Sequence, residues 1–183
     1  MEQRRLVLAS TSKYRKALLG RLGLAFETAA PHVDETPLAA EAPAETALRL
    51  SILKAESLRT LYTDALIIGS DQVASCGEAR LGKPGTHANA VRQLRGLSGK
   101  AAQFDTAVSL LDAKSGTVQS RVVPCRVAFR RLDDARIEAY LRREQPYDCA
   151  GSAKSEGLGI ALIGLPLIAL TEMLERAGLP VLP

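Results

Sequence analysis

Apolar residues along this chain fall into short runs and helical stripes, separated by polar, Gly-bearing or Pro-bearing breaks. The first run, Leu6-Val7-Leu8-Ala9, ends in Ser10-Thr11-Ser12. Ala17, Leu18, Leu19 and Leu22 follow at amphipathic spacing, and Gly23 closes the segment. The pattern predicts a strand, a tight turn and a helix, with Ser12 as N-cap. Phe26 to Ala29 reads as a second strand, and the polar, acidic stretch from Pro31 to Pro43 reads as a loop. From Glu45 to Tyr62, residues Ala47, Leu48, Ile52, Ala55 and Leu58 line one face of a long helix. Ala65-Leu66-Ile67-Ile68-Gly69 is apolar throughout, as a strand covered on both faces would be. That places Asp71 at its carboxyl end or just past it. Ala88 to Leu97 reads as a helix stopping near Gly96 or Gly99. Residues 101–112 and 117–131 alternate on either side of Lys114-Ser115-Gly116, the pattern of an antiparallel hairpin. Asp133 to Arg143 is a helix with an acidic first turn and a basic last turn, which suits the helix dipole. Leu165 to Ala177 is the last helix. Strands and helices alternate at first and a hairpin follows, so the expected fold class is α/β with a mixed sheet.

Composition narrows what such a fold could do. The chain has 183 residues, suited to one domain or one domain with two lobes. Apolar residues make up 46% and charged residues 24%, an ordinary globular balance. No apolar stretch is long enough for a transmembrane helix. Arg4 and Arg5 precede only four apolar residues, too few for a signal-peptide core, so a cytoplasmic protein is expected. Cys76, Cys125 and Cys149 form no CxxC pair, which argues against a disulfide framework or a zinc site. A net charge of +4 fits a polyanionic partner. With 4% aromatic residues, no Trp and scattered Lys and Arg, that partner is expected to be a small anion rather than a nucleic acid held in a stable complex.

Five segments hold residues suited to anion or metal chemistry. Ser10-Thr11-Ser12-Lys13-Tyr14-Arg15-Lys16 is a strand-to-helix turn, where hydroxyls and free N–H groups meet the positive end of a helix. The same residues would also serve as a plain N-cap with a solvated basic face. Asp34-Glu35 offers oxygen ligands to a hard cation such as Mg²⁺, or simple loop charge. Asp71, in Gly69-Ser70-Asp71-Gln72, follows a buried strand and is costly there unless paired or bound to metal. Such an acid can also take a proton from water. Lys54, and Lys83 in Gly82-Lys83-Pro84, gain meaning only if they converge on one anion. Gly151-Ser152-Ala153-Lys154-Ser155-Glu156-Gly157 lets backbone approach a ligand, or simply connects two elements. His32 and His87, the only histidines, have nothing triad-like around them, which argues against Ser-His-Asp or Cys-His catalysis.

In order and spacing these segments resemble the Maf family of nucleotide pyrophosphatases. The matching pieces are Leu8-Ala9-Ser10-Thr11-Ser12 with Arg15, Val33-Asp34-Glu35-Thr36, Lys54-Ala55, Ile68-Gly69-Ser70-Asp71-Gln72-Val73, Gly82-Lys83-Pro84, Cys149-Ala150-Gly151-Ser152, Lys154-Ser155-Glu156-Gly157 and Gly164-Leu165-Pro166-Leu167. The resemblance covers nearly the whole chain. It implies a single domain, residues 1–183, of mixed twisted sheet in two lobes about a central cleft, often dimeric. It further implies hydrolysis of a nucleoside triphosphate to monophosphate and pyrophosphate, with Mg²⁺ or Mn²⁺ as cofactor. Asp71 matches the proton-accepting aspartate. Ser10, Arg15, Lys54 and Lys83 match phosphate-holding positions, and Glu35 matches an acid associated with the metal or the attacking water, with Asp71 a second acid for the metal. Tyr14, Gln72 and Glu156 match the branch that hydrolyses 7-methyl-GTP. A second branch, acting on dTTP and UTP, usually has Arg, Thr and Gln at those positions. Tyr14 could stack on the cationic base, and Glu156 could accept from the guanine N1–H and exocyclic amine. The family is also associated with inhibition of septum formation, a regulatory role that needs no turnover.

The chain departs from the family at three places. Lys16 replaces a second Arg and loses the bidentate fork. Ala107 stands where Gly is common. At Ile163-Gly164 about a dozen residues usual in the family, including an Asp-Pro, do not appear, through either a deletion or an omitted loop.

Overall fold

Every residue of β1 (Leu6–Ala9) is buried, because the strand runs between two parallel neighbours. On one side β2 (Glu27–Ala29) pairs Val7 with Glu27 and Ala9 with Ala29. On the other, β3 (Leu66–Cys76) pairs Leu6 with Leu66 and Ala9 with Gly69. A strand flanked and covered in this way needs apolar side chains on both faces, hence the unbroken runs at Leu6–Ala9 and Ala65–Ile68. The computed structural model describes residues 4–154 and 167–179. Within them the sheet is mixed and runs in the order β2-β1-β3-β5-β6, with β4 (Ala79–Leu81) antiparallel to β3. In the hairpin of β5 (Ala101–Asp112) and β6 (Val118–Ala128), Asp112 N–H bonds the Thr117 carbonyl and Phe129 N–H bonds the Lys100 carbonyl. The two indices run in opposite directions, so the pair is antiparallel, as the alternation predicts. The helices are α1 (Lys13–Gly20), α2 (Pro43–Glu56), α3 (His87–Leu97), α4 (Asp134–Glu144) and α5 (Leu167–Arg176). A short 3-10 turn spans Ala150–Ser152. No described helix is long and apolar enough to cross a membrane.

The chain divides into two compact units. One holds Met1–Gln72, Thr106–Val123 and Gly164–Pro183; the other holds Val73–Asp105 and Pro124–Ile163. In the first unit, Val7, Ala9, Ala55, Leu58, Ala65, Ile67 and Leu111 form a core against α2. A fully buried Leu or Ile contributes about 2 kcal/mol. Helix α2 lies so close to β3 that a Cβ on Gly69 would sit 1.9 Å from the Ser51 carbonyl oxygen. In the second unit, Ala74, Leu97, Ala102 and Phe104 form one cluster, and α3 packs on α4 through Ala90, Leu94, Ile137 and Leu141.

Several boundaries differ from the sequence expectation. Strand β3 does not stop at Gly69 but continues to Cys76, so Asp71 lies inside it rather than at its end. Pairing with β4 carries the strand on after β1 has stopped at Ala9. Helix α2 begins at Pro43, whose missing N–H suits the first helical turn, and it ends at Glu56 rather than Tyr62. Beyond it, three-residue hydrogen bonds such as Arg59 N–H to the Glu56 carbonyl tighten the chain into turns that still bury Leu58. Strand β4 and the 3-10 turn are too short to leave a periodic signal. Leu165 and Pro166, expected to open the last helix, lie outside the described residues, as does the Ile163-Gly164 junction.

Candidate active site

The first unit gathers most of the residues singled out by sequence. Strand β1 ends against Ser10, which is buried and whose Oγ accepts the Ser12 N–H at 3.1 Å. Ser12 Oγ in turn accepts the Arg15 N–H at 3.3 Å, the N-cap bond expected from sequence. The turn therefore points the start of α1 past the carboxyl end of a central strand, where ligand sites of α/β sheets lie. Arg15 projects from this first turn. Burial pushes its guanidinium below its ordinary value, while the nearby charges of Asp71 and Glu35 act in the opposite direction.

Lys54 holds the site together. It emerges from α2 with its side chain only 6% exposed, and its Nζ lies 2.6 Å from Asp71 Oδ1 and 2.7 Å from Glu35 Oε1. One buried ammonium thus serves two carboxylates, which lie no farther apart than those two distances together. Asp71 is 12% exposed at its side chain and Glu35 62% exposed. An ionised acid inside β3 is tolerable because of this pair.

The two loop acids take different roles. Asp34 Oδ1 accepts the Thr36 N–H at 2.9 Å and closes its own turn, whereas Glu35 reaches Lys54. Gln72, next to Asp71 on β3, donates through Nε2 to Thr106 Oγ1 at 2.8 Å. Tyr14 is half-buried, and the Lys13 ammonium sits 4.9 Å from its ring centre, so the ring already accepts a cation in this structure.

Lys83 belongs to the second unit and is exposed on the loop after β4. That loop is tied down locally. The Gly82 carbonyl accepts from Gln93 Nε2 at 3.0 Å and from Gly151 N–H at 3.4 Å. Gln93 Oε1 accepts from Ser152 Oγ, and the Ser152 carbonyl accepts from Tyr140. Gly151 and the buried Ser152 both take left-handed backbone conformations in this network. Sequence reading missed Gln93. It stands on an ordinary helix, and only folding brings the Gly82-Lys83-Pro84 and Gly151-Ser152 segments to either end of its amide. Glu156 lies outside the described residues.

The cluster suits a hard divalent cation. Mg²⁺ is commonly held by one or two carboxylates while its other positions go to water and substrate phosphate. Glu35 and Asp71 supply two such carboxylates on one ammonium. Among the described residues no group of three or more His, Cys, Asp or Glu side chains forms a protein-only cage.

The family model described as Maf-like protein matches residues 5–177. A protein of Thiobacillus denitrificans named 7-methyl-GTP pyrophosphatase is 57% identical over 189 residues, covering 97% of this chain and 94% of its own. That match is longer than the 183 residues here, so the relative carries residues this chain lacks. A Cupriavidus metallidurans protein of the same name is 54% identical, covering 96% of this chain and 94% of its own. Among solved structures, the Staphylococcus aureus Ham1 protein superposes with a TM-score of 0.49 at 16% identity, covering 68% of this chain and 71% of its own.

Proposed function

This chain belongs to the Maf-like protein family, and from that premise we propose that it hydrolyses 7-methyl-GTP to 7-methyl-GMP and pyrophosphate. The observation that carries the reading is the buried Lys54 shared by Asp71 and Glu35, whose charges Arg15 also feels. In this reading water attacks the α-phosphorus, its proton passes to Asp71, and the bond from that phosphorus to the bridging oxygen breaks. Pyrophosphate leaves with the electron pair. Charge builds on phosphate oxygens during the step, and Arg15, Lys54 and Ser10 would receive it. On its match to the family motif, Lys83 would add a further cation for the phosphates. Glu35 and Asp71 would hold a divalent cation, Mg²⁺ or Mn²⁺, which would supply charge neutralisation on the triphosphate.

Base choice falls to Tyr14, Gln72 and Glu156. A methylated guanine is cationic and would compete with Lys13 for the Tyr14 ring. Gln72 gives its amide nitrogen to Thr106, which leaves its carbonyl oxygen to accept from a base N–H.

The test is pyrophosphate release from 7-methyl-GTP, GTP, UTP, dTTP and ITP with Mg²⁺ or Mn²⁺, run beside Asp71→Asn. Fast release from 7-methyl-GTP that vanishes in the variant is the expected result. Preference for UTP or dTTP would keep the reaction and overturn the roles of Tyr14, Gln72 and Glu156. If Glu156→Gln left the preference unchanged, the role given to Glu156 would be wrong.

A further inference from the structure

Glu35 sits in a loop with no regular structure and has an exposed side chain, yet its carboxylate meets a buried ammonium. Something must hold the loop. The hydrogen bonds around it converge on one ion pair, Arg49 with Glu41. Arg49 Nε donates to Glu41 Oε1 at 2.6 Å and Arg49 Nη2 to Glu41 Oε2 at 2.8 Å, a bidentate fork. The same Nη2 donates to the Thr36 carbonyl at 3.2 Å, one residue after Glu35. Glu41 Oε2 also accepts the Leu38 N–H at 3.1 Å and the Thr46 hydroxyl at 2.8 Å. The Glu41 side chain is only 8% exposed. Arg49 and Lys54 both project from α2, so one rigid helix carries both the clamp and the ammonium that Glu35 meets.

We infer that Arg49 and Glu41 are positioning residues, which pin the segment from Thr36 to Glu41 onto α2 and so set Glu35 on Lys54. This rests on the reading of Glu35 as the acid that holds the divalent cation. It assigns no contact with substrate to either residue. The guanidinium also feels the charges of Asp34 and Asp71, so Arg49 could instead act directly on the site by its charge. A test must separate the two.

A double-variant cycle does so. Glu35→Gln, Arg49→Met and the combination would be assayed for the Mn²⁺ concentration giving half-maximal pyrophosphate release. If Arg49 works through Glu35, each single change raises that concentration about tenfold or more, and the double variant is no worse than Glu35→Gln alone. Multiplying effects would mean that Arg49 acts independently, and would overturn the inference. Arg49→Lys keeps the charge without the fork, so it should recover only part of the loss; full recovery would show that charge alone matters. Amide exchange of full-length protein gives a readout that needs no turnover. Thr36 and Leu38 should exchange faster in Arg49→Met and in Glu41→Gln than in the wild type. Unchanged exchange there overturns the clamp. Faster exchange in a chain that releases no pyrophosphate from any nucleotide would uphold the clamp and reject the activity.

Discussion

Lys54 satisfies two acids that differ sharply in exposure, so losing each partner carries a different cost. Lys54→Met would strand the Asp71 carboxylate inside β3. Breaking a buried pair from one side costs roughly 3 kcal/mol or more, so the urea midpoint at pH 7 should fall markedly. Adding Asp71→Asn to Lys54→Met should return part of that loss, because no buried charge is then unpaired. If the double variant were less stable than Lys54→Met, the pair would not be the reason for the cost. Glu35→Gln should change stability by less than about 1 kcal/mol, since its carboxylate is mostly in water. Asp71→Asn should abolish pyrophosphate release while leaving the circular dichroism spectrum intact. As adjacent acids in a loop, Asp34 and Glu35 look alike by residue type; the family resemblance singled out Glu35, and the fold shows Asp34 closing its own turn. Asp71 and Lys54 were legible as candidates, but nothing in their 17-residue separation says that they meet.

Elements explain why certain residue types stand where they do. Gly69 is required by the approach of α2 to β3, not by its backbone angles. Gly69→Ala would place a methyl 1.9 Å from the Ser51 carbonyl and 2.9 Å from the Ala55 nitrogen. Both atoms are backbone and cannot swing aside, so a loss at or above the usual 1–3 kcal/mol of overpacking, about 3 kcal/mol, is expected in chemical unfolding. A neutral result would mean that helix and strand are less closely packed. Gln145 shows the opposite case. It ends α4 in a left-handed conformation, φ 45°, while exposed to solvent. Glycine adopts that conformation without the Cβ penalty, so Gln145→Gly should stabilise by roughly 1 kcal/mol, read as a higher Tm. Helix α1 and its Ser12 cap, the hairpin and the charge pattern of α4 could all be read from the sequence, because each carries a local signal: a cap, a turn between two alternating runs, or an order of charges. The far end of β3 could not, since pairing with β4 sets it.

On the scale of the whole molecule, several carboxylates are held by arginines and titrate low. Hydrogen bonding from Arg49 drives Glu41 down from 4.5 to about 2. Arg4 likewise lowers Asp112, Arg5 lowers Glu27, and Arg95 lowers Asp134. A depressed folded-state value adds stability above the unfolded value, and that stability is lost as pH falls through the folded one. For Glu41 the window runs from 4.5 down to about 2. The urea midpoint should therefore drop between pH 5 and pH 3. Glu41→Gln should be less stable than the wild type at pH 7 and show a shallower drop. Parallel pH curves for the two proteins would reject this linkage. Protonating carboxylates on a chain already at +4 adds self-repulsion in the same direction.

The sequence by itself determined the order of the longer elements, the α/β class and the family, because these rest on short-range periodicity, turn chemistry and the order of short motifs. It also marked Ser10, Arg15, Lys54 and Asp71 as residues suited to an anion and its cation. Tertiary structure alone decided that one buried ammonium joins Asp71 to Glu35, that Asp34 turns away, that Arg49 and Glu41 hold the loop, and that Gln93 bridges two distant segments. The physical reason is the same in each case. Hydrogen bonds and ion pairs act over about 3 Å, and only chain folding brings groups far apart in sequence to that distance.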